Sequence, residues 1–141
     1  MSFAPTFILT WIAMVGLSLG LPEGAQAAAI VFPPWWTASR TLSAIAFADA
    51  TIVSKATQPD ADAYSAFQGT DLAALLRRKG IRRLLIGGIA TDYCVLSTVC
   101  DALKEGFGVL LLTDAIRAVD VEHGDGQRAE AKMREAGAIP I

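Results

Sequence analysis

Histidine is almost absent from this chain: His123 is the single one. It lies in a polar stretch beside Gly124 and Asp125, and one imidazole without partner ligands makes no metal site. Cysteine is scarce too. Cys94 and Cys100 fall six apart on one predicted helix, which turns them to different faces. They do not bridge each other, so nothing requires an oxidising compartment. No basic stripe is present, and 12 Lys and Arg against 14 Asp and Glu leave a net charge of −2, which excludes a nucleic-acid footprint. Repeats and low-complexity tracts are missing, and 141 residues hold one domain at most. What is plentiful is apolar. The hydrophobic share of 53% exceeds the usual range and is inflated by the first fifty residues.

The stretch around which the rest is organised runs from Leu84 to Cys94. Leu84-Leu85-Ile86-Gly87-Gly88 reads as a buried strand, a short apolar run closed by glycines. After Tyr93 the apolar spacing becomes helical through Val95, Val99, Ala102 and Leu103. Thr91 and Asp92, in the turn between, suit a helix cap. Cys94 therefore belongs to the first helical turn beyond the carboxyl end of a central strand. Unpaired N–H groups and the helix dipole favour an anion there, biasing a thiol toward thiolate. The same N–H groups suit an oxyanion formed when sulfur attacks a carbonyl. Open α/β sheets bind ligands along this edge. Against this stands the ordinary reading of Cys94 as a small buried hydrophobe.

From Asp49 onward the pattern is orderly. The residue pattern predicts strands near 51–54, 84–88 and 109–112 and helices near 70–79, 93–105 and 125–136. Lys55 closes the first of these strands, and Gln58-Pro59-Asp60 opens a loop. Thr70-Asp71 are placed to cap a helix whose apolar face is Leu72, Leu75 and Leu76. Arg77, Arg78 and Lys79 crowd its last turn, and Gly80 ends it. The terminal Ala138-Ile139-Pro140-Ile141 is at most a short edge strand, because proline cannot donate to a ladder. Strands alternating with helices imply a parallel sheet with right-handed crossovers.

The first 48 residues read differently. Phe7 to Leu21 form an apolar run, followed by Ala25-Gln26-Ala27, which has the form of a signal h-region and its A-x-A cleavage site. No Lys or Arg precedes it. Residues 3–21 are just long enough to cross a membrane. The segment is expected to pack poorly or to form a lone helix near Phe7–Leu21, while Ala28–Phe32 is a candidate replacement strand.

Gly88-Ile89-Ala90-Thr91-Asp92-Tyr93-Cys94-Val95, followed by Thr98 and Asp101-Ala102, resembles the nucleophile motif of nicotinamidases in the isochorismatase-like cysteine hydrolase family. Lys55 with Asp60-Ala61-Asp62-Ala63-Tyr64-Ser65-Ala66-Phe67 resembles the catalytic-lysine segment of that family. Thr113-Asp114-Ala115 and Met133-Arg134-Glu135-Ala136-Gly137-Ala138 resemble its closing strand and helix. The resemblance covers Asp49 to Ile141. It implies a three-layer αβα parallel sheet of the isochorismatase-like hydrolase type, with its N-terminal strands missing: a partial domain at 49–141 behind an apolar segment at 1–48.

The resemblance further implies Cys94 as nucleophile, Lys55 as the cation beside it, and an oxyanion hole from the N–H groups of Ala90 and Cys94. A cis Ile89–Ala90 peptide goes with that hole. Tyr64, Phe67 and Tyr93 would flank an aromatic substrate, although aromatics beside a sheet are more often core. Without the family, Lys55 is a solvated strand-end lysine.

Two parts of the family machinery have no counterpart in these residues. The aspartate general base of an Asp-x-Gln-x-Asp-Phe motif is absent, and so are the ligands of the divalent metal, such as zinc, expected in the full-length family. Asp92 reads as a cap or structural hydrogen-bond partner, not a substitute base. Met1-Ser2-Phe3-Ala4 resembles the segment after the metal-site histidines, and Trp36–Ala44 in a shifted frame can spell Asp-Cys-Val-Gln-Asp-Thr-Leu-Gly. Residues 1–48 are thus expected to be foreign to the fold. The implied activity is hydrolysis of nicotinamide to nicotinate and ammonia through a Cys94 thioester, impaired by the missing parts. The alternatives are a carbamoyl or ureido amidohydrolase of the same family, or a non-catalytic remnant held to a membrane through residues 3–21. The expected partner is a small amide, in the cytoplasm, with homo-oligomerisation left open.

Overall fold

The computed structural model describes residues 11–15, 29–32, 51–57 and 63–141. In chain order the elements are β1 (Trp11–Val15), β2 (Ala29–Phe32), β3 (Thr51–Ser54), α1 (Leu72–Arg78) and β4 (Arg83–Ile89). A π-helical turn (Thr91–Val95) then leads into α2 (Leu96–Lys104), followed by β5 (Gly108–Arg117), α3 (Asp125–Glu135) and β6 (Ile139–Pro140).

The described strands make one sheet in the order β3-β2-β1-β4-β5-β6. β4 runs parallel to β5, β5 parallel to β6, and β2 parallel to β3. β4, β5 and β6, joined through α2 and α3, are the parallel neighbours that the alternating pattern requires. β6 closes one edge as the short strand expected of a segment holding Pro140. Its neighbour Ile141 donates its N–H to Leu111 O at 2.9 Å, and Thr113 N returns a bond to Ile141 O at 3.0 Å.

β1 departs from expectation. Trp11–Val15 lies within the run read as a lone helix, yet it is a strand, antiparallel to both β2 and β4, with Trp11 opposite Ile89 and Val15 opposite Leu85. The reason is tertiary. Trp, Ile and Val fit a pleated surface, and β4 without a neighbour on that side would leave a row of buried N–H and C=O groups unpaired. β2 falls on the candidate replacement strand. The other expectations for residues 1–48 fall outside the described residues.

The core gathers where the sequence periodicity put it: Leu72 and Leu76 of α1, Leu84 and Ile86 of β4, Val95, Val99 and Ala102 on the helical segment that carries Cys94, Val109 and Leu111 of β5, and Met133 of α3 are all buried. Burying side chains of this size stabilises a fold by roughly 1.5–3 kcal/mol each before entropy is counted. α1 ends as expected. Gly80 adopts φ +70°, its N–H donates to Arg77 O at 3.0 Å, and Ile81 N donates to Leu76 O at 3.0 Å. Its start differs, because the Asp71 side chain makes no cap bond; Thr70 Oγ1 accepts from Leu72 N at 3.4 Å and donates to Ala66 O at 2.7 Å.

The end of β4 is irregular. Ile86 pairs with Leu111 and Gly88 with Ile116, so residues 112–115 of β5 bulge opposite the single residue Gly87. A Cβ on Gly87 would come within 3.1 Å of Ala115 O and 3.2 Å of Ala115 Cβ. This tight crossing precedes the turn that carries Cys94.

Candidate active site

The π-helical turn is built by Ala90, whose carbonyl accepts from both Tyr93 N at 3.2 Å and Val95 N at 3.0 Å. The second of these is an i→i+5 bond, the wide turn that often appears at functional positions. Ala90 is the N-cap and no side chain caps it, which corrects the expectation that Thr91 or Asp92 would do so. Thr91 is buried. Asp92 instead reaches across to the loop after β5, where its two oxygens accept from Val119 N at 3.1 Å and Asp120 N at 2.9 Å. Its alternative role, structural hydrogen-bond partner, is the one realised. Asp120 continues the clamp by accepting from Gly126 N at 2.8 Å, at the start of α3. The Ile89–Ala90 peptide is cis.

Cys94 has no exposed surface, and Lys55 is 3% exposed. Lys55 Nζ donates to Cys94 Sγ at 3.2 Å and also donates to the carbonyl of Tyr64. A lysine is rarely this buried without partners, because its ammonium loses hydration. Here a sulfur and a carbonyl take water's place. Directly after Lys55, Ala56 turns the chain with φ +54°, a left-handed conformation that costs a β-carbon residue roughly 1–2 kcal/mol.

Residues 63–70 form a strap over this pair. The Tyr64 ring stacks on Tyr93 with centroids 6.1 Å apart and planes 28° off parallel. Tyr64 is 40% exposed, so this aromatic pair faces solvent beside the buried sulfur. Phe67 behaves differently. Its ring packs on Phe107, centroids 6.0 Å apart, with the Arg77 guanidinium over Phe107. Of the three aromatics named from the sequence, two share a wall and the third joins the core.

A cleft of about 200 Å³ opens next to the site, lined by Asp92, Tyr93, Leu96, Arg128 and Lys132 among others. It lies outside the Lys55–Cys94 pair and shares only Tyr93 with the aromatic wall. In the loop before α3, His123 is exposed, and its carbonyl accepts from Arg128 Nη1 at 3.2 Å. Among the described residues no three His, Cys, Asp or Glu side chains stand close enough to hold a metal ion. Among these described residues the donor set does not fit a metal centre. Among the same residues, no helix is long and apolar enough to cross a membrane.

Thr98, named in the sequence only as part of the motif, has a structural partner that the motif does not announce. Its Oγ1 accepts from Ala66 N at 2.9 Å, and both residues are fully buried. The signal was available: a hydroxyl sits among Val95, Val99 and Ala102 on an apolar helix face, where a buried polar atom needs a partner. The Tyr64 carbonyl, as a backbone group, left no such trace.

This arrangement is a layered α/β sheet with a cysteine at a helix start beyond a central strand, the architecture of the isochorismatase-like hydrolases. The Isochorismatase domain matches residues 42–141, and the chain belongs to that family. It is 41% identical to the nicotinamidase of Escherichia coli K12 over 95 residues, 63% of this chain and 45% of that protein. The pyrazinamidase of Pyrococcus horikoshii, solved with zinc, superposes with TM-score 0.63 at 49% identity, over 66% of this chain and 51% of that one. PnC1 of L. infantum, solved with nicotinate, superposes with TM-score 0.59 at 36% identity, over 65% and 48%. The chain thus spans about half the length of the relatives it matches.

Proposed function

We propose that this chain carries the nucleophile half of a nicotinamide-hydrolysing site, with Cys94 as nucleophile and Lys55 as the cation that supports it. The observation behind this reading is the buried 3.2 Å contact between Lys55 Nζ and Cys94 Sγ, which an ammonium makes best to a thiolate. The relatives named for nicotinamide and nicotinate supply the substrate class. The pyridine ring lies against Tyr64 and Tyr93, which offer a flat, partly exposed aromatic wall. Phe67 props the strap from the core side.

The sulfur attacks the carboxamide carbon and a C–S bond forms. The carbonyl oxygen takes up the electron pair and is held by the N–H groups of Ala90 and Cys94. Collapse of this intermediate breaks the C–N bond, and the departing nitrogen takes a proton and leaves as ammonia. Water then cleaves the thioester to nicotinate, regenerating the sulfur.

The proton is the weak step. Among the described residues, the sequence of β1, which pairs with β4, holds no acidic residue. Asp92 is committed to two backbone amides. General acid–base catalysis is worth about 10²–10⁴ in rate, so nicotinamide turnover by this chain falls below that of a complete nicotinamidase by a factor in that range. Residues 49–141 are the hydrolase part, and the shifted-frame reading of Trp36–Ala44, outside the described residues, attributes the preceding segment to a change of frame.

Ammonia release from nicotinamide, with mass spectrometry of the Cys94 peptide, tests the proposal. Slow release with a nicotinoyl adduct on Cys94 supports it. Turnover equal to a complete enzyme would overturn the impairment, and no adduct at all would leave a non-catalytic remnant. Sequencing the coding DNA tests the frame: no family-like translation in another frame refutes it.

A further inference from the structure

Thr98 lies one helical turn after Cys94, on the same face, with no exposed surface. For packing alone a valine would serve at this place, between Val95, Val99 and Ala102. Its hydroxyl oxygen instead accepts from Ala66 N at 2.9 Å, in the middle of the strap. The strap is shaped from within by Tyr64 N donating to Gln68 Oε1 at 3.2 Å, Phe67 N to Ser65 Oγ at 3.2 Å, and Thr70 Oγ1 to Ala66 O at 2.7 Å. Those bonds fix its curvature; the Thr98 bond fixes it against the helical segment that carries the sulfur. Two residues before Ala66, the carbonyl of Tyr64 receives the Lys55 ammonium, which also reaches Cys94. The loop closes on itself: sulfur, ammonium, Tyr64 carbonyl, Ala66 amide, Thr98 hydroxyl, and back along one turn of helix.

We infer that Thr98 is a positioning residue, registering the 64–68 strap onto the nucleophile helix and so holding Lys55 and the Tyr64 ring at their distances from Cys94. The inference rests on the proposed roles of Lys55 and Cys94. Thr98 acts through the strap and touches neither the substrate nor the sulfur's reacting partner. Its loss frees the strap to lift, carrying away the anchor of the ammonium and half of the aromatic wall.

The test is iodoacetamide labelling of the full chain, read by mass spectrometry as the Cys94 rate relative to Cys100 in the same molecules. Thr98→Val removes the acceptor and keeps the volume. It slows Cys94 about five- to tenfold, within the range for groups that share one hydrogen-bond network. Thr98→Ser restores the rate to within about twofold of the unmodified chain. On a Lys55→Met background, Thr98→Val has no further effect, because both act through the same contact. Unchanged labelling in Thr98→Val, or an effect that persists in full without Lys55, overturns the inference. If Lys55→Met itself labels as fast as the unmodified chain, the active-site reading fails first and takes the inference with it. Should Thr98→Val not fold, hydrogen exchange of the Ala66 amide in the unmodified chain decides: slow exchange supports the brace, and exchange as fast as an open loop overturns it.

Discussion

Cys94 and Cys100 belong to one continuous helical segment, yet they meet opposite surroundings. Cys94 sits at the start, where the wide turn tucks it under the strap against a buried lysine. Cys100 sits midway along α2, partly exposed, next to the Asp101–Lys104 pair, whose Nζ and Oδ1 stand 3.0 Å apart. Six residues turn a helix by about 600°, so the two side chains diverge by roughly a third of a turn. The surroundings follow from that angle: one sulfur is buried against Lys55, the other is partly open to solvent.

The largest effect that sharpens this contrast is on covalent chemistry. Cys94→Ala abolishes the nicotinoyl adduct and ammonia release, while Cys100→Ser leaves both within about twofold, as expected when only one group is the nucleophile. Adduct on Cys100 would break the comparison. Next comes Lys55→Met, which slows iodoacetamide labelling of Cys94 by about 10- to 100-fold and leaves Cys100 unchanged. Reagent size gives a control for burial: a bulky maleimide dye labels Cys100 first, because Cys94 has no open surface. A smaller effect is structural. Asp92→Ala deprives the amides of Val119 and Asp120 of their acceptor and costs about 1–3 kcal/mol in urea unfolding. Asp92→Asn costs less, since one carbonyl oxygen remains.

The smallest effect is at the Cys100 end. Lys104 is raised above the ordinary lysine value by its hydrogen bond to Asp101 and by the charge of that carboxylate. A base whose folded value is raised stabilises below its unfolded value and loses that contribution as pH climbs through the folded one. Thermal midpoints of the unmodified chain and Asp101→Asn therefore converge in alkaline solution, above the lysine value of 10.5. A gap that widens there would contradict the pairing.

Much of this is legible in the sequence alone. The strand around Ile86, the helix through Val99 and the helix through Met133 each carry their period in apolar residues, and burial follows the period. The Lys55–Cys94 juxtaposition was legible only through the family motif, because nothing local to Lys55 announces a partner 39 residues away. Three features escaped for physical reasons. The strand at Trp11–Val15 is decided by the open side of β4, not by its own helix-compatible pattern. Phe67 reads like Tyr64 in sequence, but it lacks a hydroxyl to keep it near water, and it turns to Phe107 instead. Asp92 has the composition of a cap, yet the widened turn leaves its carboxylate free to clamp a distant loop.

Gly87 lies where β4 slides past the bulge at residues 112–115, with the Ala115 backbone close enough to contest even one methyl group. A saturation scan of β4 would therefore show a barrier, not a gradient. Substitutions at Leu85 would be graded by size, whereas any side chain at 87 needs Ala115 to give by a few tenths of an ångström, four residues before the turn that carries Cys94. A directed-evolution campaign on this scaffold would find its variation in the strap and the α3 cleft, and at position 87 only as far as Ala115 yields.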